Sequence, residues 1–215
     1  MHELGHCICA LFFNWEIDKI SIYPYGGFSK FNEDLNRPIK EEFLILLSGP
    51  LVQIIFFILC SLVGLRDTTF SLLKTYHYAI LCFNLLPIYP LDGGKLVNLF
   101  LSKYYSYYKS LKFSLILSYF LITLIFIFQI NYFFSLNIIM MLLLLLQKVI
   151  IHWRRKDMYH YKFLLERYLN NYKFSKVKLI NNTKEMMRDK KHVFKKGNHY
   201  YSEMEILSKK FKRKY

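Results

Sequence analysis

Two histidines and a glutamate stand close together near the start of the chain, in the order His2-Glu3-Leu4-Gly5-His6. On a helix, residues four apart share a face, so both imidazoles would point one way and could hold a single zinc ion. Glu3, one position past the first histidine, would face the attacking water and could act as a general base. The alternative is a surface helix with two solvated histidines. Against it, the motif runs straight into Cys7-Ile8-Cys9-Ala10-Leu11-Phe12-Phe13, and ionisable residues bordering hydrocarbon call for a function. Cys9 lies on the same helical face about 4.5 Å beyond His6. Its ordinary reading is a small buried hydrophobe, as for Cys7, Cys60 and Cys82, none of which forms a CxxC pair.

A catalytic zinc usually takes three protein ligands and leaves a fourth position open. A second cluster, Asn84-Leu85-Leu86-Pro87-Ile88-Tyr89-Pro90-Leu91-Asp92-Gly93-Gly94-Lys95, offers the third. Asp92 is the best-placed acid of the apolar region. The two prolines interrupt a helix and expose backbone groups, and Gly93-Gly94 permits tight backbone geometry. The plain alternative is a helix-terminating turn with Asp92 as a cap.

The elements that must position these residues are mostly apolar. Of 215 residues, 54% are hydrophobic, yet the formal net charge is +15. The two properties are segregated. Residues 148–214 hold twenty of the thirty Lys and Arg against six acids, and so carry nearly all of the net charge. Upstream, residues 43–65, 70–91, 111–130 and 132–151 are apolar runs near the 20-residue length of a membrane span. The second run contains Lys74, His77, Asn84, Pro87 and Pro90, and qualifies only if these face the protein interior. Basic residues fall in the segment before 43, in a loop after Asp92 (Lys95, Lys103, Lys109, Lys112) and in the tail. Four crossings would therefore put every basic segment on the cytoplasmic side. Residues 1–13 read as part of an apolar helix and 17–31 as a short β-hairpin turning at Gly26-Gly27. Pro38 opens a helix. The expected fold is an all-α polytopic membrane protein, with a core over 1–151 and a basic cytoplasmic tail over 152–215. In that tail, 159–171 reads as an amphipathic helix, 191–202 as a hairpin around Lys196-Gly197-Asn198, and Glu203 starts a short helix.

HELGH beside an apolar helix, followed by NLLPIYPLDGG, resembles the site-2 protease family of M50-type intramembrane zinc metalloproteases. The phrases FFNWEI, YPYGG, NRPIKEEF, SGPL and FLLERY resemble its sporulation branch, over roughly residues 1–170. The resemblance implies Zn2+ held by His2, His6 and Asp92, Glu3 as catalytic base, and a substrate-binding place for Asn84. It implies as substrate a membrane-associated pro-protein, in the sporulation branch a pro-sigma factor. It also implies regulatory membrane partners, no direct nucleic-acid partner, and a place in the mother-cell membrane around the forespore. The hairpin would bind an extended substrate segment by adding a strand to its edge, or else only seal the site.

The family pattern has a membrane helix ahead of the HExxH helix, so the reading expects an N-terminally truncated core with further coding sequence upstream of Met1. It also expects the tail to be a reduced remnant of the CBS module that ends close relatives, with nucleotide sensing in doubt. Two other readings remain open: a catalytically inactive membrane protein acting through partners, and a metal transporter using His2, His6 and Asp92. Glu3 beside the first histidine favours hydrolysis over transport.

Overall fold

The structure is a computed structural model that describes residues 1–15, 17–23, 26–31, 35–64, 66–132, 135–170, 172 and 174–212. The chain divides into two compact units. One comprises Met1–Glu33 with Lys40–Leu86, the other Asp34–Ile39 with Pro87–Tyr215.

The first unit opens with helix α1 (His2–Phe12), whose buried residues His2, Gly5, His6, Cys7 and Ala10 form one side. Leu4, Ile8, Leu11 and Phe12 are exposed on the other, as a helix bordering hydrocarbon requires. The helix ends at Asn14, which takes the left-handed conformation (φ 54°). Trp15 then turns back, packs with Ala10 and Ile45, and donates its indole N–H to Glu41 Oε2 at 3.1 Å. Strands β1 (Ile17–Tyr23) and β2 (Gly26–Phe31) form the antiparallel hairpin, with Tyr23 opposite Gly26. Gly26 and Gly27 thus stand in the strand and not at the turn. The connecting residues 24 and 25 lie outside the described residues.

Helix α2 (Ile39–Leu62) follows Pro38, which cannot donate a backbone hydrogen bond and sits comfortably ahead of a helix start. Its polar residues are used. Ser48 Oγ lies 2.9 Å from the Gly5 carbonyl and 2.6 Å from that of Ile45. A Cβ on Gly5 would meet the Ser48 carbonyl, so glycine there lets α1 approach α2 backbone to backbone. Helix α3 (Asp67–Leu85) completes this unit.

Among the described residues three helices are long and apolar enough to cross a membrane: α2, α5 (Tyr107–Tyr132) and α6 (Leu136–Leu169). The expected fourth span, α3, has 19 residues but lacks the apolarity, and of its side chains only His77 is buried. Its Lys74, His77 and Asn84 are the reason.

The second unit holds α4 (Asp92–Tyr104), α5, α6 and a small C-terminal fold. The stretch expected to be a basic loop after Asp92 is helical. Helix α6 is unbroken for 34 residues, about 51 Å. That exceeds a hydrocarbon core of about 30 Å, so residues 136–151 of the expected span and 159–169 of the expected tail helix belong to one element, while 133, 134 and 171 lie outside the described residues. Strand β3 (Val177–Ile180) pairs parallel with β4 (Lys191–Lys196), and β4 pairs antiparallel with β5 (His199–Ser202), giving the order β3-β4-β5. Gly197 makes the hairpin turn with φ 61°. Ser202 and Glu205 exchange hydrogen bonds between side chain and backbone, a capping box that starts α7 (Glu203–Lys212). The core beneath is Phe163, Leu164, Ile180, Met186, Phe194 and Leu207 with Tyr107.

Candidate metal centre

His2 and His6 are 9% and 4% exposed, which removes the solvated-helix alternative. Their rings meet edge to face, with centroids 4.8 Å apart. Helix α2 decides how each ring is protonated. His6 Nδ1 lies 2.7 Å from the Ile45 carbonyl, which can only accept, so Nδ1 carries the proton. Gln53 Nε2 donates to the His77 carbonyl at 3.0 Å, which turns Gln53 Oε1 toward His2 Nδ1 at 2.9 Å. His2 is therefore also protonated on Nδ1. These tautomers follow from the hydrogen-bond partners. The two Nε2 atoms, each left with a lone pair, face one another 3.2 Å apart.

Two imidazole Nε2 atoms directed at one place repel unless an electron-pair acceptor, a proton or a metal cation, lies between them. Nitrogen donors held this way match the preference of zinc, and an Nδ1–H bound to a carbonyl or amide oxygen is the usual outer support of a metal-binding histidine. The donor set fits the ion that the motif implies.

Space for the pair is also built in. A Cβ on Gly49 would run into the His6 ring. Glu3 lies in the first turn of α1 and is half-buried. Asn84, near the end of α3, brings Nδ2 to 3.3 Å from His2 Nε2. His2, Glu3, His6 and Asn84 thus belong to the first unit. Cys9 packs beside the Ala10–Trp15–Ile45 cluster, as a hydrophobe does.

Asp92 belongs to the second unit. It is the first residue of α4 and half-buried, at the positive end of the helix dipole. The turn before it is held tightly. Leu91 N donates to the Ile88 carbonyl at 2.8 Å, and a Cβ on Gly94 would overlap the backbone of Ile88 and Tyr89. Two buried serines of α5 fasten both ends. Ser118 Oγ accepts from Tyr89 N at 2.7 Å, and Ser114 Oγ donates to the Gly94 carbonyl at 3.3 Å.

The residues that sequence reasoning passed over are Gly49, Gln53 and the Ser114–Ser118 pair. Gln53 was visible as the only amide in an otherwise apolar run, and Gly49 within SGPL. The serines recur at every fourth position from Ser102 to Ser118, which is a helical period.

Residues 1–67 match peptidase family M50. The chain is similar to stage IV sporulation protein FB of Bacillus subtilis (strain 168), 36% identical over 180 residues, which cover 78% of this chain and 60% of that protein. A zinc metalloprotease of Methanocaldococcus jannaschii is 35% identical over 119 residues, covering 52% of this chain and 34% of the relative. Among solved structures, the site-2 protease from M. jannaschii aligns with a TM-score of 0.50 at 32% identity, over 66% of each chain. The chain therefore spans three-fifths or less of the length of these two curated relatives.

Proposed function

We propose that the chain is a site-2 protease of peptidase family M50, which residues 1–67 match, and thus an intramembrane zinc metalloprotease that hydrolyses a peptide bond of a membrane-associated pro-protein. The observation that carries this reading is the His2–His6 pair, whose Nδ1 atoms are both committed to α2 and whose Nε2 lone pairs converge. In the proposal Asp92 is the third ligand, and Asn84 binds the substrate next to His2. Bound zinc supplies a Lewis acid that polarises the scissile carbonyl and acidifies water. Glu3 takes a proton from the attacking water and returns it to the leaving amine. The Asn84 amide donates a hydrogen bond to the carbonyl oxygen as negative charge develops there. A substrate must be extended to expose its peptide bonds, and the hairpin edge of β1 and β2 offers backbone groups for it.

Within this reading the substrate is the pro-sequence of a sigma factor, supported by the similarity to a sporulation protein. The basic tail faces the cytoplasm, supported by its charge.

The test is cleavage of a pro-protein by the full chain and by its Glu3→Gln variant, with zinc content measured on both. The variant should lose about 10²–10⁴-fold in rate while retaining its zinc. Undiminished cleavage would defeat the assignment of the base. Asp92→Asn should lose zinc, and a normal metal content would remove Asp92 from the ligand set.

A further inference from the structure

Within the second unit, the corner between α4 and α5 and the strand β3 enclose a cavity of about 190 Å³ that the chemistry proposed above leaves unused. Tyr104, Tyr105 and Lys109 line it from the helices, Lys178 and Glu185 from the C-terminal fold. Two ammonium groups and one carboxylate leave it with one net positive charge. Lys178 Nζ donates to the Met187 thioether at 3.5 Å, and sulfur is a weak acceptor. Among the described residues neither lysine has a carboxylate partner. One oxygen of Glu185 accepts from the Asn181 backbone N–H at 3.1 Å. Other cations of the same unit are satisfied by the protein itself. The Arg167 guanidinium donates to the carbonyls of Met187, Arg188 and Lys190 at 2.6, 2.7 and 2.8 Å and pairs with Glu203 at 3.1 Å. Lys184 Nζ lies 4.0 Å from Asp157 and 4.6 Å from the centre of the Tyr108 ring.

Lys109 stands in the first turn of α5, a helix long and apolar enough to cross a membrane. From it, Phe113, Ile116, Phe120, Leu124 and Ile127 follow at steps of three or four residues, which is one helical face. All five are about half exposed, so the protein leaves this stripe to the acyl chains of the bilayer. The Tyr105 ring, at the cavity, lies 5.6 Å from that of Phe113 and joins the cavity to the stripe. Lys103, Tyr104, Tyr105, Lys109 and Lys112 all fall at or just ahead of the apolar run 111–130. Tyrosines and lysines at the end of a span mark the level of the lipid headgroups.

We infer that this cavity binds the headgroup of an anionic phospholipid, its phosphodiester between Lys109 and Lys178 and an acyl chain along the Phe113–Ile127 stripe of α5. One phosphodiester charge matches the one net positive charge of the cavity. The carboxylate of Glu185 selects a headgroup that brings hydroxyl donors and no second acid, which is the glycerol headgroup of phosphatidylglycerol. A lipid held this way ties β3 to the start of α5, so the membrane itself fastens the C-terminal fold to a span of the same unit. The inference does not rest on the protease reading.

The experiment is native mass spectrometry of the full chain released from nanodiscs that hold phosphatidylglycerol, phosphatidylethanolamine and phosphatidylcholine in equal parts, with the retained lipid identified and counted. The parent chain should keep one phosphatidylglycerol in preference to the other two. Lys109→Gln and Lys178→Gln should each weaken that retention about fivefold, the effect of one lysine beside an anionic headgroup. Both lysines are exposed, so either substitution leaves the core intact. Lys112→Gln removes an equal charge from the same end of α5 but outside the cavity, and should retain the lipid as the parent chain does. Soluble glycerol phosphate at the concentration of the lipid should not displace it, because it has no acyl chain to lie on α5. A parent chain without preference among the three lipids would overturn the inference. A loss in Lys112→Gln as large as in Lys109→Gln would do the same, by assigning the attraction to diffuse charge. Displacement by glycerol phosphate would make the cavity a site for soluble phosphate esters instead. Preferred retention of phosphatidylethanolamine would pair its ammonium with Glu185 and rule out the glycerol headgroup.

Discussion

An imidazole can bind a metal through only one nitrogen at a time, and the hydrogen bond made by the other nitrogen decides which. For His6 that bond goes to a backbone carbonyl and for His2 to the side chain of Gln53. The two supports therefore differ in how they can be tested. Gln53→Leu removes the amide oxygen that His2 Nδ1–H faces at 2.9 Å, so the ring can turn or change tautomer. Zinc affinity, measured by chelator competition, should fall about 10–100-fold. Gln53→Glu keeps an oxygen at that place and should retain most of the affinity. Equal affinities in Gln53→Leu and the parent chain would show that Gln53 does not orient the ligand. At this scale the sequence was informative where chemistry is written in contiguous residues: the spacing of His2, Glu3 and His6 already puts the two rings on one helical face. It was silent about Ile45, because a backbone carbonyl carries no residue signature. It also could not place Gly49 against the His6 ring, because the contact joins residues 43 positions apart.

The helices and turns carry a different kind of information. The turn from Pro87 to Gly94 brings Asp92 to the start of α4, and its closeness depends on the missing side chain at Gly94, where a Cβ would overlap the backbone of Ile88 and Tyr89. Gly94→Ala should force that turn apart and destabilise the protein by about 1–3 kcal/mol. A lower Tm in a thermal unfolding scan, together with weaker zinc retention, is the expected result. A Tm equal to that of the parent chain would show that the turn has room to spare. The ends of the elements were legible where local chemistry marks them: Pro38 before α2, Gly197 between β4 and β5, and the Ser202–Glu205 capping box at α7. The continuity of α6 was not, because apolar and basic halves of one helix look like two elements when hydropathy alone is followed. Nor was β3, a four-residue strand whose parallel partner β4 lies eleven residues further along the chain. The gap between the four expected spans and the three helices, among the described residues, that are long and apolar enough to cross a membrane comes from α3. Its length passes, but its polar residues deny it the apolarity.

At the scale of the whole chain, composition places a strong positive charge in the C-terminal third, and such a charge ordinarily means a solvated or membrane-facing surface. Two of those basic residues do something else. Arg167 and Arg188 are 3% and 4% exposed, and Arg167 is the centre of the network that organises the C-terminal fold. Composition counts charges but cannot tell a surface arginine from a buried one, so this part of the tail was hidden from sequence reasoning. The burial has a consequence for acid stability. Desolvation alone would push the Glu203 carboxyl upward, but the hydrogen bonds from His192 and Arg167 and the charge of Arg167 outweigh it and hold the group below its ordinary value. A carboxyl with a depressed folded-state pKa stabilises the fold at every pH above its unfolded value, near 4.5. That contribution is lost as the pH falls through the depressed value. Exchange protection over 177–207 should therefore stay level from pH 8 to about pH 5 and decline only in stronger acid. Glu203→Gln leaves Arg167 buried without its counter-charge, so protection at neutral pH should drop by about 3 kcal/mol, and the acid-dependent loss should shrink. An acid decline as steep in Glu203→Gln as in the parent chain would assign it to other carboxylates and leave the Arg167–Glu203 pair without a part in the pH response of the tail.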